Sequence, residues 1–503
     1  MKVLLETNIK LRSDMKSMHE KRLINIMLLA FLLFNLSSCG KTQKNDTPVV
    51  TPPVVIPPST PVKTDVAFWL TKADRTALFE KQNVALNFTT NTNSNQTITV
   101  DSTQTFQTID GFGFAMTGGS AYLINRLSAA EREPLLKELF TPDSTFINVS
   151  YLRISIGSSD LNASVYSYDD ISASQTDYPL DYFSLGADTY DLIPILQKVV
   201  ALNPNIKILG SPWSAPVWMK TINNTMGGSL KPECYNVYAQ YFVKYIQAMK
   251  ANGIHIDAIT CQNEPLNAYN NPSMLMTAVQ QADFIKNNLG PAFKAANIDT
   301  KIILYDHNCD HPEYATTVLS DPDANKYVDG SAFHLYAGDI SALSSVHSSY
   351  PDKNVYFTEQ WTGGPGDFAA DLNWHMKQLI VGATRNWSKN VIEWNLAADP
   401  LYQPHTVGGC TTCMGALTIG STVTRNVSYY IIAHASKFVK TGSVRIASTI
   451  TGTLPNVAFM TPDRKKVLIV LNDNTAAQTF NILSNGKMVT TTLAGGSVGT
   501  YVW

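Results

Sequence analysis

Between residues 150 and 400 the chain alternates, and that alternation limits its fold more than any other feature. Short apolar runs occur at Ser150–Ile156, Ile206–Gly210, Ile256–Cys261, Lys301–Tyr305, Ser331–Tyr336, Asn354–Thr358 and Val391–Trp394, with helical stretches between several of them. The clearest helix spans Tyr235 to Met249, where Tyr235, Tyr238, Ala239, Phe242, Tyr245, Ile246 and Met249 recur at helical spacing, and Gly253 is placed to cap it. Strands alternating with helices form a parallel sheet. Adding the segment Ile109–Met116 as the first strand gives eight, which predicts a closed (β/α)8 TIM barrel. A doubly wound open sheet is the rival. No Gly-rich dinucleotide fingerprint follows the first strand, which weakens it.

The pattern changes on both flanks. From Ser443 to Trp503, strand-like runs at Val444–Ile446, Val457–Met460, Lys466–Leu471, Thr479–Leu483, Met488–Thr492 and Thr500–Trp503 are separated by turn pairs such as Pro462-Asp463 and Asn485-Gly486. That is the pattern of an antiparallel β-sandwich. Residues 64–106, with Ala85–Phe88 and Gln96–Val100, are also strand-rich and are predicted to join it from the other chain end. The expected division is N-terminal strands at 64–106, barrel at 107–438 and C-terminal strands at 439–503. With 503 residues, 44% of them hydrophobic and 16% charged, the chain can bury both cores. A net charge of -2 gives no sign of a nucleic-acid partner, and no feature sets the oligomeric state.

The N-terminus reads as an export signal. Lys16, Lys21 and Arg22 lead into an apolar run from Leu23 to Leu36, too short for a comfortable membrane span, which ends in Leu36-Ser37-Ser38-Cys39-Gly40. Leu-Ser-Ser-Cys resembles the bacterial lipobox. Residues 1–39 are therefore expected to be a signal peptide, with Met15 or Met18 as alternative starts, and Cys39 to carry the lipid anchor. Residues 40–63 hold Pro48, Pro52, Pro53, Pro57, Pro58 and Pro61 among Thr and Val, the composition of an extended tether. The expected location is the outer membrane, facing periplasm or cell surface. Five cysteines remain, an odd count that argues against a full disulfide framework. Cys410-Thr411-Thr412-Cys413 is either a local disulfide or half a metal site. No second Cys or His pair lies at zinc spacing, so neither metal nor cofactor is expected.

In such a barrel, chemistry sits at the C-terminal ends of the strands. Two glutamates occupy that position: Glu264 in Thr260-Cys261-Gln262-Asn263-Glu264-Pro265, and Glu359 after Val355-Tyr356-Phe357-Thr358. About three βα units separate them, and closing the barrel can turn them to face one another. Two facing carboxyl groups suit glycoside hydrolysis, since one donates a proton to the leaving oxygen while the other attacks the anomeric carbon, at roughly 5–5.5 Å for retention of configuration. The less solvated of the two is expected to keep its proton. Singly, either glutamate reads as a surface or ion-pairing residue. Asn-Glu-Pro at one strand end and Glu-Gln-Trp at another make that reading the weaker one.

The chain resembles glycoside hydrolase family 30, the family of lysosomal-type glucosylceramidases and bacterial β-1,6-glucanases. The matching strings are Asp110-Gly111-Phe112-Gly113-Phe114-Ala115-Met116-Thr117, Ser211-Pro212-Trp213-Ser214-Ala215-Pro216-Val217-Trp218-Met219-Lys220, Asn263-Glu264-Pro265, His334-Leu335-Tyr336, Glu359 and Trp394-Asn395-Leu396. The likeness covers about residues 64–503. It implies a barrel with a sandwich built from both chain ends, Glu264 as acid and base, and Glu359 as nucleophile. It further implies that Asn263 binds the sugar 2-hydroxyl, that Arg153 and Tyr336 support Glu359, that His334 lines the same wall, and that Trp213 and Trp394 shape the sugar pocket. One departure stands out. Glucosylceramidase-like members carry an Asp just after the Ala-Met-Thr string, and this chain has Gly118-Gly119-Ser120, which leaves glucose to other groups such as Trp394 or Glu393. The expected substrate is a β-glucan or glucoside, with β-1,6-linked glucan ahead of glucosylceramide. The competing class is a carbohydrate-binding lipoprotein that does no chemistry.

Overall fold

A computed structural model describes residues 62–503 except Ser144 and Ala173. The proposed signal peptide, Cys39 and nearly all of the tether lie outside the described residues. Among the described residues no helix is long and apolar enough to cross a membrane.

Eight strands, labelled β1 to β8 here, form the barrel: Gly111–Ala115, Tyr151–Ser155, Lys207–Ser211, Ala258–Thr260, Lys301–Cys309, Val328–Gly338, Asn354–Glu359 and Ser388–Asn395. Each pairs in parallel with the next, and β8 closes on β1. The interior is filled. Tyr151, Leu209, Ala258, Ile303, Ala332, Tyr356 and Ile392, one from each of β2 to β8, make a single buried layer. At that level β1 presents Gly113, where a Cβ would lie 1.8 Å from the Tyr151 carbonyl oxygen, so no larger residue fits. Below the strand tips the barrel interior is therefore a plug, and the cavity over the strand tips lies above it. The helix expected at Tyr235–Met249 spans Tyr235–Ala251, and Gly253 follows with φ of 78°.

Strands from both chain ends form a second, nine-stranded sheet. Its order is Glu80–Lys81, Ala67–Thr71, Val498–Val502, Lys466–Leu471, Asn456–Met460, Val444–Ser448, Gln96–Thr108, Gln478–Ser484 and Lys487–Leu493. Phe68, Ile98, Leu468, Phe480, Val489 and Tyr501, from strands far apart in that order, share one apolar core, as in a sandwich. The pairings are antiparallel except one: Gln96–Val100 runs parallel to Phe480–Ser484. Ala85–Phe88, expected as a strand, is a connection whose Leu86 carbonyl accepts the Asp65 and Val66 N–H groups, while Ala67–Thr71 supplies the edge pairing instead. The sandwich is fastened to the barrel by His434, on the helix Val427–Ser436, which bonds Thr500 and Thr71.

The connection after β8 is long. Its segment Cys413–Met414 pairs with Thr362–Gly363, just beyond the end of β7. Cys410 and Cys413 form a disulfide, which settles the two readings of that motif, while Cys234, Cys261 and Cys309 are buried free thiols.

Candidate active site

Barrel closure brings the expected residues together around Arg153, in β2. Its guanidinium is wholly buried, and both terminal nitrogens are engaged while Nε has no hydrogen-bond partner among the described residues. Nη1 donates to Glu359 Oε2 at 2.6 Å, and Nη2 donates to Asp306 Oδ2 at 2.8 Å and to Asn263 Oδ1 at 2.7 Å. The guanidinium lies 4.8 Å from the Trp213 ring centre, and Trp213 stacks on Trp394 at 5.3 Å. Glu359, the last residue of β7, receives a second hydrogen bond from the Tyr336 hydroxyl at 2.9 Å on Oε1. Both oxygens of Glu359 are thus held by donors that themselves have fixed positions.

Glu264 lies four residues beyond β4 in a left-handed backbone conformation, φ 44°, pinned by its N–H on the Asp306 carbonyl at 2.9 Å. Such a conformation in a non-glycine residue costs of order 1 kcal/mol and persists only where the surroundings enforce it. Its Oε2 accepts Asn267 Nδ2 at 2.6 Å and Asn270 Nδ2 at 3.3 Å. Ligating atoms of Glu264, Glu359 and His334 all lie within 4.8 Å of one another. Two carboxyl groups that close can straddle one glycosidic bond in the retaining arrangement.

His334 is fully buried, so it supports the wall from behind and does not form it. Its Nε2 lies 3.1 Å from Asp306 Oδ1, and its Nδ1 lies 3.5 Å from Glu264 Oε1 and 3.9 Å from Glu359 Oε1. Burial disfavours the imidazolium, but the negative charges of Glu359 and Asp306 and the contact with Glu264 outweigh it and push its pKa up to about 9. Asp306, despite its burial, is held well below the usual carboxylate range by Arg153 and His334.

The two glutamates are almost equally buried, 7% and 6% exposed, so solvation does not separate them as expected; their partners do. Burial raises Glu264, but the imidazolium of His334, together with His307 and Asn267, brings it below its usual value. Burial raises Glu359 too, and the charge of Glu264 adds to that, against the pull of His334 and Arg153, leaving it above its usual value.

The cavity over this network measures about 460 Å³, and Glu264, Glu359, Tyr336, Trp213 and Trp394 line it. Arg153 and His334 act on it through the glutamates they touch. Asn263, nearly buried, spends its carbonyl oxygen on Arg153. The residues Gly118-Gly119-Ser120 do not reach the cavity: Ser120 is buried, with Oγ bonded to Asn395 Oδ1 at 2.8 Å. Their lack of a carboxylate therefore leaves no gap in the site. A third carboxylate comes from elsewhere, from Asp160, five residues past the end of β2. Burial first, then the charges of Glu359 and Glu264, push its pKa up to about 7. Glu393 is turned away and bonded to His375 at 2.8 Å, so it is no sugar ligand. Trp361, of the Glu-Gln-Trp string, is also in the lining, while Asp160 went unnoticed in the sequence because it sits in a loop without any strand or helix period. Asp306 was missed for another reason, since the strand carrying it turns polar at its tip.

A filled parallel barrel with two carboxyl groups poised across a cavity at its strand tips defines a glycoside hydrolase of retaining geometry. The glycosyl hydrolase family 30 TIM-barrel domain matches residues 109–439, and the glycosyl hydrolase family 30 β-sandwich domain matches residues 442–501. The chain belongs to glycosyl hydrolase family 30. It is 38% identical over 429 residues to endo-1,6-beta-D-glucanase neg1 of Aspergillus fumigatus, covering 79% of this chain and 84% of that one. It is 39% identical over 410 residues to an endo-1,6-beta-D-glucanase of Neurospora crassa, covering 76% and 83%. Among solved structures, the endo-beta1,6-glucanase BT3312 superposes with a TM-score of 0.83 at 36% identity, over 88% of this chain and 99% of that one.

Proposed function

We propose that this family 30 hydrolase cleaves β-1,6-linked glucan by double displacement, with Glu359 as nucleophile and Glu264 as acid and base. The observation that carries the roles is the asymmetry of the donors. Glu359 is clamped by Arg153, which offsets its charge, and by the Tyr336 hydroxyl, which helps aim it, whereas Glu264 keeps Oε1 open toward the cavity and toward His334. The substrate rests on the relatives named above, which are endo-1,6-glucanases.

In the first step Glu359 attacks the anomeric carbon, the glycosidic C–O bond breaks, and Glu264 protonates the departing oxygen. Glu264 enters this step protonated and leaves it as the carboxylate. In the second step Glu264 takes a proton from water, whose oxygen releases the sugar from Glu359. Trp213 and Trp394 give the sugar a flat apolar floor, Asn263 faces the 2-hydroxyl, and Asp160 accepts hydrogen bonds from outer hydroxyls. The leader sequence supports export and lipidation at Cys39, which would bring the enzyme to polymeric glucan outside the inner membrane.

Product analysis on β-1,6-, β-1,3- and β-1,4-linked glucose oligomers, with glucosylceramide alongside, tests the substrate. Cleavage of the β-1,6 series well ahead of the others is expected, and preference for glucosylceramide would overturn the assignment. A 2-deoxy-2-fluoro-β-glucoside with a good leaving group should label Glu359, and Glu359→Gln should abolish turnover. A binding protein without chemistry would take up the sugar and never be labelled.

A further inference from the structure

The disulfide Cys410–Cys413 lies in the wall of the sugar cavity. It closes a loop with a sequence separation of only 3, so it removes little freedom from the unfolded chain, since loop-closure stabilisation grows with loop length. Its place in the fold suggests a local task. The Cys410 N–H donates to Asp160 Oδ2 at 3.2 Å, and the Thr406 N–H donates to the Asp160 carbonyl at 2.8 Å. Gly409 lets the two segments meet, because a Cβ there would lie 2.5 Å from that carbonyl oxygen. On its other side the loop holds the segment following Glu359: the Gly364 N–H donates to the Thr412 carbonyl at 2.8 Å, and Thr362 pairs with Met414. Both cysteines pack with Trp213, Trp394 and Trp361 in one apolar cluster.

We propose that the Cys410–Cys413 disulfide is a positioning element of the sugar site, which fixes Asp160 through the Cys410 N–H and completes the apolar wall, so that the oxidised chain binds β-glucan tightly and the reduced chain binds it weakly. This rests on the glycosidase reading and on Asp160 as a ligand for sugar hydroxyls. A carboxyl oxygen held by a backbone N–H keeps one direction for its remaining lone pairs. Without the S–S bond the loop is free to splay, and the carboxylate must be ordered each time a sugar binds, which appears as a cost in affinity.

The test is kinetic, on the whole chain. Dithiothreitol breaks the S–S bond to two thiols and is itself oxidised to its cyclic disulfide, and native alkylation should count two thiols more than in the untreated protein. On β-1,6-gluco-oligosaccharides the reduced protein and the Cys410→Ser/Cys413→Ser variant should both show KM raised about ten-fold, the loss of roughly one good hydrogen bond, with kcat changed less than about two-fold. In an Asp160→Asn background, removing the disulfide should add little. An unchanged KM with both thiols counted would overturn the proposal, as would an equal further loss in the Asp160→Asn background. Should the serine variant fail to fold, the reduced wild type decides, and loss of its cooperative melting on reduction would make the bond a general staple and also overturn the inference. Failure of the untreated protein to cleave any glucoside or to be labelled at Glu359 would instead sink the glycosidase reading.

Discussion

At the scale of single residues the site is organised by one cation. Arg153 spends its two terminal nitrogens on Glu359, Asp306 and Asn263, so it sets the direction of the proposed nucleophile and of the residue proposed to bind the sugar 2-hydroxyl. A lysine carries the same charge as a point and cannot reach three acceptors in fixed directions. Arg153→Lys is therefore expected to lower kcat/KM by about a hundred-fold, or ~2.7 kcal/mol, while Tyr336→Phe, which removes one neutral donor from Glu359, should lower it about ten-fold. Steady-state kinetics on one aryl glucoside checks both, and equal losses would mean the fork geometry contributes nothing beyond charge. Glu264→Ala should slow natural glucan far more than an aryl glucoside with an acidic leaving group, since the latter departs without a proton. The glutamates were legible because strand tips of a barrel are where chemistry gathers, and Asn263 and Arg153 through the resemblance to family 30. Asp160 was not, since a carboxylate in an aperiodic loop looks like any solvated one until the fold buries it.

The segment that follows β4 is the element on which substrate choice should turn. It leaves the barrel at Glu264, returns Asn267 and Asn270 to hold that carboxylate, and between them projects Tyr269, 84% exposed, over the cavity. With Glu264 as the proposed acid, its side of the cavity takes the departing sugar, and Tyr269 lines that cavity beside it. Tyr269→Ala should raise KM for oligomers about ten-fold, the worth of ~1.4 kcal/mol in one aromatic contact, and change KM for an aryl glucoside less. Matching changes on both substrates would assign the ring to the wrong side. Elements like this mark where sequence reading stops. The eight barrel strands stood out as apolar runs, yet β5 extends through Asp306, His307 and Asn308, polar residues that read as loop, across an irregular stretch where Tyr305 and Asp306 have positive φ. The parallel pairing of Gln96–Val100 with Phe480–Ser484 was equally hidden, because it joins opposite chain ends and leaves no local pattern.

Across the whole molecule, the join between barrel and sandwich should decide how the protein fails in acid. His434 is fully buried, with Nδ1 and Nε2 each 2.8 Å from a threonine hydroxyl, and burial holds its pKa down to about 3. In the unfolded chain the same imidazole takes its proton near 6.5. The unfolded state therefore binds the extra proton between those values, so this contribution to stability is full above about pH 6.5 and falls by up to about 1.4 kcal/mol per unit as pH drops toward 3. His307, pushed down to about 4 mainly by burial, acts in the same direction. His334 has the opposite sign: raised to about 9, it stabilises fully below about 6.5 and less as pH climbs through 9, so stability should peak near neutrality. Calorimetry at pH 7 and pH 5 should show the wild type melting several degrees lower in acid. His434→Gln keeps hydrogen-bonding capacity without the titration, and should melt lower than wild type at pH 7 yet lose less on acidification. If both proteins lost the same, the acid-sensitive contact would lie within one of the two cores, and the threonine-bridged imidazole would be only a neutral spacer between them.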